Sequence, residues 1–311
     1  MAGIPLITGA TGFAGGHLLA RLLARGGQVA AWSHSGAEPA AASKSVIWRT
    51  VDLLDRQQVR EAIEAARPSA IYHCAGFADV HGAWGAPARA MQVNALGTHH
   101  LLEAVRDGGL SCRVLVTGSA MVYRPGPEPM TENHPIGPAG PYALSKLAQE
   151  MAAASSPLPV IIVRPFNHAG PGQSPAYATS AFAQQIAEIE AGRREAAIRV
   201  GNLDARRDIT DVRDTVRAYE ALVDRGQAHL PYNVCSGRTR TMRELLDLLL
   251  SLSRVRVRVD IDPSRLRPSD NPIIAGSHDR LTRDTGWLPE IPIEQTLGDL
   301  LDHWRVRVAR P

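Results

Sequence analysis

Cysteine is scarce in this sequence: three residues in 311, at positions 74, 112 and 235. Their number is odd, their spacing wide, and no Cys-x-x-Cys pair occurs. This excludes a disulfide framework and a thiolate zinc site, and it points to reduced thiols in a cytoplasmic setting. No apolar run approaches the roughly 20 residues that a membrane-spanning helix needs. The chain opens directly on an apolar segment, which leaves no room for a signal peptide as an expectation. The arginines are scattered, the net charge is only +3, and no basic tail is present, so no nucleic-acid partner is expected. The histidines match no metal-ligand spacing, and no bound metal is expected. Internal repeats and low-complexity tracts are also missing.

The composition, 44% apolar and 21% charged, is that of an ordinary globular protein. A chain of 311 residues exceeds one compact core. The expected division is a cofactor domain over 1–165 and a smaller lobe over 166–311, partly interwoven with the first. Short apolar runs alternate with helical patterns through the first two-thirds. Strands are predicted at Ile4–Thr8, Gln28–Trp32, Val46–Thr50, Ala70–His73, Arg113–Thr117 and Val160–Arg164. Helices are predicted at Phe13–Arg25, Asp55–Ala66, Met91–Arg106 and Tyr142–Ala154. The order describes an α/β protein with a doubly wound parallel sheet, the Rossmann pattern. Beyond Pro165, Pro, Gly and Asn become frequent. Helices are expected there at Thr179–Ala191 and Met242–Ser251, and a half-exposed strand at Val255–Val259.

Glycines 9, 12 and 15 follow the first strand and precede the first helix, the context of a dinucleotide fingerprint. Gly9 would make the tight turn, Gly12 would let the backbone approach a pyrophosphate, and Gly15 would permit close helix packing. The alternative is a merely tight strand-to-helix turn. A carboxylate normally follows the second strand in NAD-binding proteins, yet here the run Ala31-Trp32-Ser33-His34-Ser35 has no acid until Glu38. That gap favours NADP(H), with NAD(H) possible. Asp52-Leu53 suits an adenine contact, or Asp52 joins Asp55 in a helix cap.

Tyr142 and Lys146 lie four apart on a predicted helix and therefore share a face. An ammonium held beside the phenol would bring its pKa down toward neutrality. A hydroxyl at Ser119 would hold a carbonyl oxygen while Tyr142 passes a proton. Each residue alone reads as a turn hydroxyl or an exposed helix pair; jointly they specify a proton-transfer device. Pro165 cannot continue a ladder, so the chain should leave the sheet there, beside Asn167. Arg207 and Arg267 are candidates to grip a diphosphate in two-pronged fashion, with surface solvation the alternative for each.

These pieces, from Thr8-Gly9-Ala10-Thr11-Gly12-Phe13 to Thr285-Gly286-Trp287, make nearly the whole chain resemble an extended short-chain dehydrogenase/reductase of the nucleotide-sugar-modifying kind. Pro165-Phe166-Asn167-His168-Ala169-Gly170-Pro171-Gly172-Gln173 and Tyr232-Asn233-Val234-Cys235-Ser236-Gly237 most resemble GDP-4-dehydro-6-deoxy-D-mannose reductases, which form GDP-D-rhamnose. The resemblance implies Ser119, Tyr142 and Lys146 as the catalytic triad. It implies cofactor contacts at Gly9, Gly12, Phe13, Gly15, Asp52, Leu53, Ala75, Gly76, Tyr142, Lys146 and Pro165. Substrate contacts are implied at Ser119, Asn167, Arg207 and Arg267, with a nucleotide sugar as the ligand. Homodimers paired through the helices near 91–106 and 142–154, as a four-helix bundle, are implied as well. The 4,6-dehydratases of this group carry acidic residues just after the catalytic hydroxyl, where this sequence has Ala120 and Met121. The epimerase-reductases that make GDP-fucose carry a cysteine at the Met121 position. A nucleotide-sugar 4-epimerase stays open as an alternative, and a cofactor-sensing regulator without catalysis is a more distant one.

Overall fold

The computed structural model describes residues 3–34, 44–265 and 271–309. The first half runs β1 (Leu6–Thr8), α1 (Phe13–Ala24), β2 (Val29–Ser33), β3 (Val46–Thr50), α2 (Arg56–Ala66), β4 (Ala70–His73), α3 (Gly82–Gly85), α4 (Pro87–Met91), α5 (Gly97–Asp107), β5 (Arg113–Thr117), α6 (Pro141–Ala154) and β6 (Val160–Pro165). The second runs β7 (Asn167–Ala169), α7 (Ala178–Glu190), β8 (Ala197–Val200), β9 (Arg206–Asp211), α8 (Val212–Arg225), β10 (Pro231–Val234), β11 (Thr239–Thr241), α9 (Met242–Ser251), β12 (Arg258–Ile261), β13 (Ile273–Ile274), α10 (Asp279–Thr285) and α11 (Ile293–Ala309).

Seven strands form one parallel sheet in the order β10-β6-β5-β4-β1-β2-β3. Its central strands are apolar on both faces because helices cover both, as a parallel sheet requires. Leu6, Ile71, Val114 and Ile162 point into a core completed by Val59 and Ile63 of α2 and by Leu101 and Val105 of α5. Ile7, Tyr72, Leu115 and Ile161 point the other way, onto Leu18 of α1 and Tyr219 and Leu222 of α8. Strand β10 comes from beyond residue 230 and pairs with β6, so the chain returns to this sheet after leaving it.

A second core gathers α7, β8, α9 and α11 around Ile186, Leu245, Leu246 and Leu301. Helix α9 starts on a reciprocal cap in which Thr241 and Glu244 each bond the other's backbone. Between the two cores lies a small sheet in which β9 pairs with β7, β11 and β13.

Two expectations are adjusted. The strand anticipated at Val255–Val259 forms three residues later, at Arg258–Ile261, because its register follows pairing with β8. The helix anticipated over Met91–Arg106 is interrupted by a π-turn at Gln92–Leu96 between α4 and α5. Pro165 closes the β6 ladder opposite Val234, and the chain then departs into β7, as its missing N–H dictates.

Beneath the loop that joins β5 to α6, a buried polar cluster ties distant segments together. Arg164 donates from Nε to Glu150 at 3.0 Å and pairs with it again through Nη2. Its Nη1 reaches the Tyr123 hydroxyl at 2.9 Å, and that hydroxyl donates to Asn233 Oδ1 at 2.6 Å. Asn233 in turn donates its N–H to Glu132. Both members of the Arg164–Glu150 pair are buried, so removing one leaves an uncompensated charge. Glu150→Ala should therefore destabilise the fold by about 3–5 kcal/mol in urea unfolding. A loss under about 1 kcal/mol would show that the pair is not structural.

Candidate active site

The loops after β1, β4, β5 and β6 meet at the carboxyl end of the sheet, where open α/β sheets hold ligands. The turn after β1 is built on glycine for steric reasons. Gly9 has φ +68°, and a Cβ there would lie 2.7 Å from the Ala75 backbone. A Cβ on Gly15 would sit 2.1 Å from the Gly9 carbonyl oxygen. Gly12 is the N-cap of α1, and it bonds its N–H back to Gly9 at 2.9 Å. No side chain caps α1 and no acid stands in its first turn. The free N–H groups and positive dipole end are thus left for an anion, which fits a dinucleotide pyrophosphate.

Phe13 opens the helix with its ring stacked on His168, at 5.7 Å and 4° between planes, and edge-on to His17 at 5.4 Å. His17 donates to the Pro171 carbonyl at 2.8 Å. These contacts lock α1 to the segment after β6. Asp55, not Asp52, caps α2. The Asp52 carboxylate accepts from Leu54 N and lies 4.0 Å from His34, at the mouth of β2. Leu53 is buried and receives His100 on its carbonyl. Glu38 lies outside the described residues. Ala75 donates its N–H to Thr8 Oγ1 at 3.2 Å. Gly76 must be glycine, since a Cβ would meet Asn94 Oδ1 at 2.7 Å and Lys146 Nζ at 3.3 Å.

Ser119, Tyr142 and Lys146 come together in front of that turn. The Ser119 hydroxyl accepts from Met121 N at 3.1 Å and hydrogen-bonds the Tyr142 phenol. Lys146 is buried, with Nζ donating to the Thr117 carbonyl and to Gln149 Oε1, each at 2.9 Å. The expected effect of this lysine on the phenol is corrected here. Burial pushes Tyr142 up to about 12, and the Ser119 hydrogen bond opposes that only in part. Lys146 itself is held down to about 8 by burial. The ammonium is anchored on neutral carbonyls behind the tyrosine, so the phenol keeps its proton and stands as an acid.

Asn167 starts β7 and is exposed at the edge of the cleft. It pairs with Ile209 of β9, and Arg207 lies two residues before that position, on the same face. Arg207 donates to the Arg206 and Pro272 carbonyls. Burial lowers its pKa, and among the described residues no carboxylate is paired with this half-buried cation. Arg267 lies outside the described residues. On the opposite face, Asp208 is buried and clamps the Ser236-Gly237 turn through Ser236 N, Ser236 Oγ and Gly237 N at 2.6–2.9 Å. Residue spacing had not singled out Asp208, Asn94 or Gln149. For Asp208 the adjacent Arg-Arg-Asp run was the available signal. His73 has both ring nitrogens engaged internally, to Thr8 and Thr98, and His168 bonds the Phe166 carbonyl through Nδ1. Among the described residues no group of three or more metal-binding side chains converges, and no helix is long and apolar enough to cross a membrane.

The glycine geometry makes a sharp test. Gly15→Ala should weaken binding of a reduced nicotinamide dinucleotide tenfold or more, read by fluorescence titration. Gly16→Ala, whose Cβ would meet nothing nearer than 3.7 Å, should leave binding unchanged. Equal affinities for the two variants would show that the turn does not carry the dinucleotide.

Comparison with known proteins agrees with this fold. The sequence profile of the family described as GDP-mannose 4,6 dehydratase matches residues 6–300. The chain is 37% identical over 309 residues to GDP-6-deoxy-D-mannose reductase of Pseudomonas aeruginosa, covering 97% of each. Among solved structures, RMD from Pseudomonas aeruginosa complexed with NADPH superposes with a TM-score of 0.85 at 35% identity, covering 98% of this chain and 99% of that one. A structure described as an epimerase from Burkholderia cenocepacia superposes with a TM-score of 0.86, also at 35% identity, over 98% and 99% of the two chains. By profile, identity and fold, the chain is a nucleotide-sugar oxidoreductase that belongs to the GDP-mannose 4,6-dehydratase family.

Proposed function

We propose that this enzyme is an NADPH-preferring reductase of a nucleotide-linked 4-keto-6-deoxy hexose, converting GDP-4-dehydro-6-deoxy-D-mannose to GDP-D-rhamnose. The observation that carries the reading is a hydrogen-bonded Ser119–Tyr142 pair, backed by a buried lysine and followed by Ala120 and Met121. A dehydratase needs an acid and a base next to the hydroxyl to eliminate water. Here the two following positions are apolar, and the nearby carboxylates Glu132 and Glu150 are committed to Asn233 and Arg164. Ketone reduction needs only a polarised oxygen and one proton. Identity to the Pseudomonas aeruginosa reductase supports the same substrate, and the NADPH-bound structure supports the same reductant.

When bound against the glycine turn, NADPH supplies the hydride that adds to C4. Ser119 and Tyr142 donate hydrogen bonds to the C4 carbonyl oxygen, and the phenol hands its proton to that oxygen to complete the alcohol. Lys146 holds the nicotinamide ribose, and its positive charge offsets the phenolate left behind. Preorganised donors of this kind stabilise developing oxyanion charge by roughly 3–4 kcal/mol. Asn167 and Arg207 bind the nucleotide sugar, with Arg207 facing the diphosphate and Arg267 assigned to the same task. Phe13, Asp52, Leu53, Ala75, Gly76 and Pro165 line the cofactor's path.

Incubation with NADPH and GDP-4-keto-6-deoxymannose should consume NADPH, and NMR should assign the rhamno configuration at C4. Tyr142→Phe should lose at least two orders of magnitude in kcat while remaining folded. Full turnover by that variant would sink the mechanism. Tightly held NAD without net NADPH loss would instead favour a 4-epimerase.

A dimer seam is supported by the surface of α6 and the π-turn beside it. Helix α6 exposes Leu144 and Met151, seven residues apart and so on one face, and the neighbouring π-turn exposes Leu96. These apolar side chains support a homodimer through a four-helix bundle, and the three free thiols suit a cytoplasmic enzyme. Placing charges at the seam, as Leu144→Glu with Met151→Glu, should yield monomers by light scattering. A dimer that persists would place the interface elsewhere.

A further inference from the structure

Behind Lys146 runs a chain of buried hydrogen bonds that the reaction itself does not require. Gln149 sits one turn further along α6 and is fully buried, as are His73, Thr98 and Asn94. Lys146 Nζ donates to Gln149 Oε1, and Gln149 Nε2 donates to Thr98 Oγ1, each at 2.9 Å. The Thr98 hydroxyl donates its one proton to the Asn94 carbonyl at 2.7 Å. It must therefore accept from its other two neighbours, Gln149 and His73 Nε2, the latter at 2.8 Å. That fixes the His73 tautomer with its proton on Nε2. His73 Nδ1 is then the acceptor for the Thr8 hydroxyl at 2.7 Å, and Thr8 accepts from Ala75 N.

Every donor direction in this chain follows from Thr98 having one proton to give. The Gln149 amide cannot flip without facing its NH2 to the ammonium and its carbonyl to a hydroxyl oxygen that has no proton left. Lys146 in turn has three N–H donors, of which Thr117 O and Gln149 Oε1 take two. The third is left for the site.

We propose that Gln149 is a positioning residue, whose amide, oriented by Thr98, His73 and Thr8, holds Lys146 as an ammonium with one N–H directed to the reacting partners. The proposal rests on the reading that Lys146 acts in the reductase site. The groups facing Lys146 are His73 and Cys74 from the end of β4, Thr117 from β5, Asn94 from the π-turn and Gln149 from its own helix. None is a carboxylate. His73 stays neutral, pushed down to about 3 by burial and by Lys146 itself, and Cys74 stays a thiol, pushed up to about 12 by burial. Neutral carbonyls alone therefore offset the burial of the charge, and Gln149 contributes one of the two.

The chain contains only two lysines, Lys44 and Lys146, against thirty-two arginines. Lysine labelled with 13C at Cε thus gives two signals, and the Lys146 titration can be followed by NMR in the cofactor-free protein. Gln149→Leu removes an acceptor from the charged form, so the Lys146 pKa should fall by about one to two units. Activity requires the protonated amine, so the alkaline limb of kcat/KM should move down in pH with it. The keto-sugar KM should hold while kcat drops. Gln149→Glu should move the titration and the limb upward instead. An unmoved Lys146 titration in Gln149→Leu overturns the proposal, whatever happens to kcat. Should that variant fail to fold, Gln149→Glu decides, and an unmoved or downward shift there is equally fatal. Lys146→Met separates the two ideas: normal turnover would remove the lysine from the reaction without touching the Gln149 result.

Discussion

The burial of one ammonium governs the layout of this site. A lysine placed in a low-dielectric pocket loses hydration that a carboxylate would ordinarily replace, and the charged form suffers. Here the replacement is two carbonyl oxygens, enough to keep the amine mostly charged at neutral pH although burial lowers it to about 8. A carboxylate partner would have raised the pKa and drawn the positive charge away from the phenol. Arginine would have been unable to titrate at all. The contrast with the rest of the molecule is sharp. Its structural cations are arginines set against carboxylates, as in Arg164–Glu150, Arg213–Asp211 and Arg305–Glu190.

The second constraint is the sheet ladder. Ser119 follows β5, Asn167 follows β6, and the Ser236-Gly237 turn follows β10. These three strands are adjacent in the sheet. The groups that would touch the ketone, the sugar and the diphosphate therefore hang from neighbouring strand ends. Asp208 then ties the last of these turns to the strand that bears Arg207. The spacing between proton donor and substrate grip is set by backbone pairing about 4.8 Å per strand, with no hinge interposed.

Much of this was legible in the residues. Apolar runs of parallel-sheet length placed six strands of the main sheet, five of them largely buried and the sixth, β3, half-exposed at the edge. The glycine turn and the Ser119, Tyr142 and Lys146 set were legible because sterics and shared helix faces act over short spans. Strand β10 was not, since nothing in Pro231–Val234 distinguishes an edge strand of the first sheet from a strand of the second lobe. Gln149 and Glu150 were also silent. One faces Thr98 and the other Arg164, and a helix period says which side a residue is on but not which long side chain it will meet. The direction of the Tyr142 shift failed for a related reason. Four-residue spacing promises proximity, whereas the pKa follows from burial and from where the Lys146 amine is anchored.

The π-turn at Gln92–Leu96 has a bearing on how this chain can change over time. It accommodates one residue more than an α-helix would, and from within it Asn94 bonds Phe77 through both its carbonyl and its amide and reaches Ser145. Losing one residue there would restore regular helical bonding while rotating everything upstream by about 100° and drawing it in by about 1.5 Å. Asn94 would leave the wall it shares with Gly76, and the apolar face bearing Leu96 would turn away from that of α6. Substitution along this helix is therefore open to drift at exposed positions, but its residue count is not: the segment can vary in letters and not in length.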